Sequence, residues 1–244
     1  MRRILFIFFR LWGFHVIARL KWNARHKSYE ENFEYLQKVC QKGIKVGRVN
    51  AEYHGMENVP KEGGFVYFPN HQGMFDVMMF LASSPRPLSF VMKKELANLP
   101  LLKQVRISSR SLYIDREDIR QSMQVIMQMT EAVKDGKGFL IFAEGTRSKK
   151  KNAMNDMKGG SFKSAVKAQA PIVPCALLGA YEPFDGGHIR RVNVALYYIE
   201  PLYYEDYKDM KTIEIAAEVK RRIEAKIVEV TNVDTRYEKP IDNQ

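Results

Sequence analysis

Gly64-Phe65-Val66-Tyr67-Phe68-Pro69-Asn70-His71-Gln72-Gly73-Met74-Phe75-Asp76 decides the fold. Its first half is a short apolar run bounded by glycine and proline, the pattern of a strand buried on both faces. Beyond Pro69 the spacing turns helical, and a helix is expected over 74–82. A buried strand feeding a helix is the repeating unit of an α/β layered fold. The same alternation runs along the chain. Residues 88–92, 111–114, 139–142, 172–178 and 192–199 read as further strands. Helical spacing marks 29–41, 119–133, 160–169 and 212–228.

The strand-to-helix junction places His71 at the edge of the sheet, where α/β folds build their sites. Asp76 follows five residues later. A histidine oriented by a carboxylate can take a proton from an alcohol. In a regular helix five residues turn through about 500°, which leaves the two side chains about 140° apart. They can meet only if His71 stands before the first regular turn. A second motif, Phe142-Ala143-Glu144-Gly145-Thr146-Arg147-Ser148, ends the strand over 139–142. It offers a carboxylate and a guanidinium on a glycine turn, and a guanidinium fork matches phosphate oxygens. Together the motifs suggest a transferase acting on the hydroxyl of a phosphorylated substrate.

Four segments in order resemble the motifs of the glycerolipid acyltransferases. They are His71 with Asp76, Leu112-Tyr113-Ile114-Asp115-Arg116, Glu144-Gly145-Thr146-Arg147 and Ile172-Val173-Pro174. Lys93-Lys94-Glu95-Leu96 also resembles that family's segment ahead of its second motif. The likeness covers roughly residues 53–201. It implies a mixed sheet flanked by helices, with an N-terminal two-helix appendage that docks on membranes. The implied activity moves a fatty acyl group from acyl carrier protein or coenzyme A to the sn-2 hydroxyl of 1-acylglycerol 3-phosphate (lysophosphatidic acid), giving phosphatidic acid. The alternatives are an acyltransferase for another lysolipid or glycerol 3-phosphate and, from a different class, a non-catalytic peripheral lipid-binding protein. By the same resemblance His71 is the general base and Asp76 its orienting partner. Arg116 and Arg147 hold the phosphate. Glu144 orients Arg147 or binds a glycerol hydroxyl, beside Gly145 and Thr146, and Pro174 shapes an acyl-binding wall.

Residues 1–48 are expected to form the docking motif and 49–244 the catalytic domain. Met1-Arg2-Arg3 precedes an apolar run broken by Arg10, His15 and Arg19. No small-residue cleavage site follows it, against a signal peptide. Arg10 near its middle would be costly in a transmembrane helix. A helix lying in the interface fits better, with Phe6, Phe9, Trp12 and Trp22 as apolar and aromatic bulk and Arg10, Arg19 and Lys21 facing headgroups. The alternative is a helix packed on the core. The expected location is the cytoplasmic face of the cell membrane, peripheral or monotopic, on anionic phospholipid.

Lys and Arg number 39 against 28 acids, giving a net charge of +11, and apolar residues make up 45%, enough for a full core. Cys40 and Cys175 form no CxxC pair and no zinc-type cluster, so free thiols are expected. No dinucleotide or P-loop glycine pattern appears. Gly159-Gly160-Ser161-Phe162-Lys163 lacks the second glycine of a nucleophile elbow, which argues against a serine hydrolase. The basic residues form no recognised nucleic-acid module. Neither a cofactor nor a metal nor a nucleic-acid partner is expected.

Overall fold

The structure is a computed structural model that describes residues 2–185 and 190–232, with 2–12 given as helix only. Among these residues the strands are β1 (Val49–His54), β2 (Phe65–Pro69), β3 (Leu88–Lys93), β4 (Leu112–Ile114), β5 (Gly138–Leu140), β6 (Ile172–Leu178) and β7 (Val192–Tyr198). They form one sheet in the order β1-β7-β6-β2-β5-β3-β4. Neighbours from β6 to β4 are parallel, as are β1 and β7, while β6 and β7 run antiparallel. The sheet is therefore mixed, as the resemblance implies.

The helices are α1 (Arg2–His26), α2 (Tyr29–Val46), α3 (Asp76–Ser83), α4 (Pro100–Ser108), α5 (Ile119–Lys134), α6 (Lys163–Ala168), α7 (Glu182–Asp185), α8 (Tyr204–Tyr207) and α9 (Thr212–Thr231). Strand alternation splits the core into two layers. On one face Phe65, Tyr67, Leu140, Val173, Cys175 and Leu177 pack under α1, α2 and α3. On the other, Val66, Phe68, Phe139, Ile172 and Ala176 pack under α5, α6 and α9. All five residues of β2 are buried, because helices cover both its faces. In α9, Ile215, Val219, Ile223 and Ile227 lie one helical turn apart and are fully covered.

The N-terminal helices share this core. In α2, Phe33, Leu36, Cys40 and Ile44 form a single buried stripe, joined by Val16 and Leu20 of α1. A capping box starts α2: Ser28 accepts from the Glu31 N–H while the Glu31 carboxylate accepts from the Ser28 N–H. The helical pair thus covers one sheet face, because its apolar stripe has no other partner. On the outer side of α1, Phe14 is 61% and Trp22 44% exposed, and Arg19 and Lys21 are exposed beside them. The side chains of Phe6, Phe9, Arg10 and Trp12 lie outside the described residues. Among the described residues no helix is long and apolar enough to cross a membrane.

Four of these strands and helices exceed what the residue pattern predicts: β1, α4 and the one-turn helices α7 and α8. β1 is short and edge-placed, with only Val49 buried, so alternation barely marks it. α4 has a single buried residue, Ser108, and Val105 packs against the core only partly buried. The helix expected over 74–82 begins at Asp76, and the one over 160–169 divides into a 3₁₀ turn (Gly159–Phe162) and α6. Cys40 and Cys175 are buried free thiols.

Candidate active site

The carboxyl ends of β6, β2 and β5 stand side by side, and the loops leaving them meet there. The loop after β2 is tied to β6 by two buried amides. Asn70 donates to the Leu177 carbonyl and accepts from the Leu177 N–H, which continues strand pairing through a side chain. Gln72 donates to the Leu177 carbonyl and to Asn152 Oδ1, and accepts from the Ala180 N–H. His71 is held between these two anchors.

Asp76 opens α3, and its carboxylate turns back over the loop. It accepts from the Gln72 N–H at 2.7 Å and the Gly73 N–H at 3.0 Å, and contacts His71 Nδ1 at 2.7 Å. These donors occupy a carboxylate that is completely buried. Burial pushes the Asp76 carboxyl up, and the three donors oppose that shift. Because α3 begins only at Asp76, His71 precedes the first regular turn. The condition set by helix geometry is met, and the two side chains form a close pair.

The segment after β5 grips His71 from the other side. Glu144 Oε1 accepts from the His71 N–H at 2.7 Å and Oε2 from the Asn155 N–H at 2.8 Å. The Ser148 N–H donates to the His71 carbonyl at 2.9 Å. Phe142 stacks on the imidazole, with ring centroids 4.0 Å apart. Gly145 makes the turn with φ +77°, a left-handed conformation that favours glycine. A Cβ there would stand 2.9 Å from the Lys158 amino nitrogen, so that cation lies against the turn.

Burial pushes the Glu144 carboxyl up to about 7 from its ordinary 4.5. An acid held above its ordinary value favours folding while protonated, so this stabilisation is complete below pH 4.5 and vanishes as pH rises through about 7. Wild-type protein is expected to lose thermal stability relative to Glu144→Gln across that window. Melting curves at stepped pH check this, and parallel profiles for the two proteins would contradict it.

The structure brings together His71, Asp76, Glu144, Gly145, Thr146 and Arg147. Thr146 is exposed on the turn and Arg147 half-buried. Arg116 is exposed at the same edge, beyond β4, and three strands from β2 place it about 14 Å away laterally. Pro174 is level with Phe68 inside the sheet, about 10 Å below His71 along the strand direction. It shares the face of Ile172 and Ala176, so any acyl wall it forms lies deep in the sheet. Both Glu144 oxygens accept backbone N–H groups, so it braces the two motif loops. On α1 the Arg19 guanidinium lies 4.7 Å over the Trp22 ring, beside exposed Lys21. Sequence reasoning passed over Asn70, Gln72, Phe142, Asn152 and Lys158 as site residues. Asn70, Gln72 and Phe142 adjoin the motifs, and a polar residue directly after a buried strand is a usable signal. Asn152 and Lys158 reach the site only through folding of the loop.

The Acyltransferase family model matches residues 50–178, over half of the chain. The 1-acyl-sn-glycerol-3-phosphate acyltransferase of Pseudomonas aeruginosa is 31% identical over 185 residues, covering 72% of this chain and 68% of that protein. A probable 1-acyl-sn-glycerol-3-phosphate acyltransferase of Mycoplasma pneumoniae is 31% identical over 144 residues, 57% of this chain and 51% of that one. The corresponding protein of Borreliella burgdorferi is 26% identical over 149 residues, 61% of this chain and 59% of the other. The chain thus spans about half the length of several curated relatives it matches. The crystal structure of the 1-acyl-sn-glycerophosphate (LPA) acyltransferase from Thermotoga maritima aligns with TM-score 0.73 over 96% of this chain and 99% of that one, at 22% identity, which establishes a common fold. With its family model spanning both motif loops and the strands that carry them, this chain belongs to the acyltransferase family.

Proposed function

We propose that this chain transfers a fatty acyl group from a thioester to the sn-2 hydroxyl of 1-acylglycerol 3-phosphate, giving phosphatidic acid. The observation carrying this reading is the 2.7 Å contact between His71 Nδ1 and a buried Asp76 carboxylate at the carboxyl edge of the sheet. With Nδ1 engaged, Nε2 is the nitrogen left to serve as base; the tautomer is assigned from the hydrogen-bond network. His71 takes the hydroxyl proton as the oxygen attacks the thioester carbonyl. The tetrahedral intermediate collapses with cleavage of the C–S bond, and the imidazolium returns the proton to the departing thiolate. Asp76 orients the ring and balances its transient positive charge, as a triad carboxylate does. The substrate oxygen stands where a triad would have a serine, so no acyl-enzyme forms.

Arg147 and Lys158 flank the Gly145 turn and would hold the phosphate, with Thr146 beside them and Arg116 adding positive charge further along the rim. Pro174 would line the deep end of an acyl channel. The donor is acyl carrier protein or coenzyme A, which present the same thioester arm. Purified protein, 1-acylglycerol 3-phosphate and each donor test the reading: phosphatidic acid should form. Absence of product with both donors would overturn it.

Residues 1–48 serve as the membrane-docking segment and 49–244 as the catalytic part, a division of labour within one shared core. Phe14 and Trp22 project from α1 beside Arg19, Lys21 and Arg25, a combination suited to an anionic bilayer surface on the cytoplasmic side. Phe14→Ala/Trp22→Ala is expected to weaken binding to vesicles containing anionic phospholipid by about tenfold or more, since each lost aromatic anchor removes on the order of 1–2 kcal/mol. Vesicle co-sedimentation checks this. Undiminished binding by the double variant would remove α1 from the docking surface.

A further inference from the structure

The imidazole of His71 can rotate about Cα–Cβ and Cβ–Cγ. Its contact with Asp76 fixes one ring atom and leaves the plane free to swing about that point. The Phe142 ring removes this freedom, lying 4.0 Å from the imidazole centroid and 26° from parallel. Phe142 is itself anchored against the core under α2 and α3. Two and six residues further on, Glu144 and Ser148 hold the His71 N–H and carbonyl. One segment therefore grips the histidine at both backbone groups and at its ring.

The stacking has an electrostatic side. An aromatic face carries negative charge density and attracts a cation held over it within about 6 Å of the ring centre. A neutral imidazole gains little from that face, and an imidazolium gains more. In acyl transfer by His71, the ring is neutral before reaction and cationic while it holds the acceptor's proton. We infer that Phe142 is a positioning residue that stabilises this transient imidazolium as well as fixing the ring plane, an inference that rests on the acyl-transfer reading. Asp76 from α3 and Glu144 from the turn after β5 are the titratable groups that also hold His71, and neither is altered in the test below.

Substituting Phe142 by mono-, di- and trifluorophenylalanine keeps its shape and apolar character while draining charge from its face. We expect kcat to fall stepwise with fluorine number, to about a tenth of wild type at the trifluoro residue, with KM for both substrates unchanged. Phe142→Leu should lose at least as much, and Phe142→Tyr should restore near-normal turnover. The carbon NMR signal of the His71 ring gives a readout that needs no substrate. At one fixed, mildly acidic pH, the imidazolium fraction should fall in the same order. An active wild type with kcat and imidazolium fraction both flat across the series would overturn the inference. Should wild type form no product, the acyl-transfer reading fails by itself, and the NMR series still decides whether Phe142 stabilises the charged ring.

Discussion

His71→Ala is expected to lower kcat by about 10²–10⁴-fold, the usual contribution of an aligned general base. The protein should remain folded, because the His71 side chain is one-fifth exposed and leaves no sealed cavity when removed. Its backbone N–H and carbonyl keep their bonds to Glu144 and Ser148 in the variant, so the loop should hold its course. Residual turnover would come from positioning of acceptor and donor, which the substitution does not touch. Steady-state kinetics with a melting curve check the prediction. Turnover within a few-fold of wild type by a folded variant would remove His71 as the base. Lost turnover with lost folding would assign it a structural role.

Asp76→Asn separates orientation from the base itself. His71 Nδ1 and the Gln72 N–H share Asp76 Oδ2, so an asparagine NH₂ in that place faces the imidazole and leaves the Gln72 N–H without its acceptor, while the amide oxygen accepts from the Gly73 N–H. That contact favours the tautomer with the proton on Nε2, the nitrogen needed as base. A wrong tautomer in a comparable triad costs about 10⁴-fold, and a loss of about 10³–10⁴-fold is expected here. The fold should survive with modest cost. One disturbed buried hydrogen bond amounts to about 1–3 kcal/mol, and at this chain length each kcal/mol lowers Tm by about 2–4 °C. Restored turnover at high pH, or activity near wild type, would show that the carboxylate does not set the tautomer. Asp76→Ala should be worse in folding than Asp76→Asn, because it strands two buried N–H groups that the carboxylate now satisfies.

The layered α/β fold was legible because its strands are unmistakable runs. Phe65–Pro69 and Ile172–Leu178 have almost every residue buried, and a strand covered on both faces must be apolar throughout. Helices with one covered face, α2, α5 and α9, announce themselves by their stripes. By contrast, β1 and α4 bury a single residue each and take their places from their neighbours' geometry. Likewise the helix pitch could state what the His71–Asp76 pair requires. That α3 begins only at Asp76, whose carboxylate holds the Gln72 and Gly73 N–H groups of the preceding loop, is decided by the folded loop.

Sequence by itself determined the chemistry: which residues can hold a proton, which can hold a phosphate, and that both groups follow buried strands. It did so because residue type and local periodicity are properties of short segments. Tertiary structure alone decided how those groups are used. Glu144, 73 residues from His71 in the chain, acts on its backbone, and Phe142 on its ring. Arg116, in an apparently equivalent motif, stands three strands away. Strand order in the sheet sets these distances, and it is fixed by the packing of the whole core, which no single segment encodes.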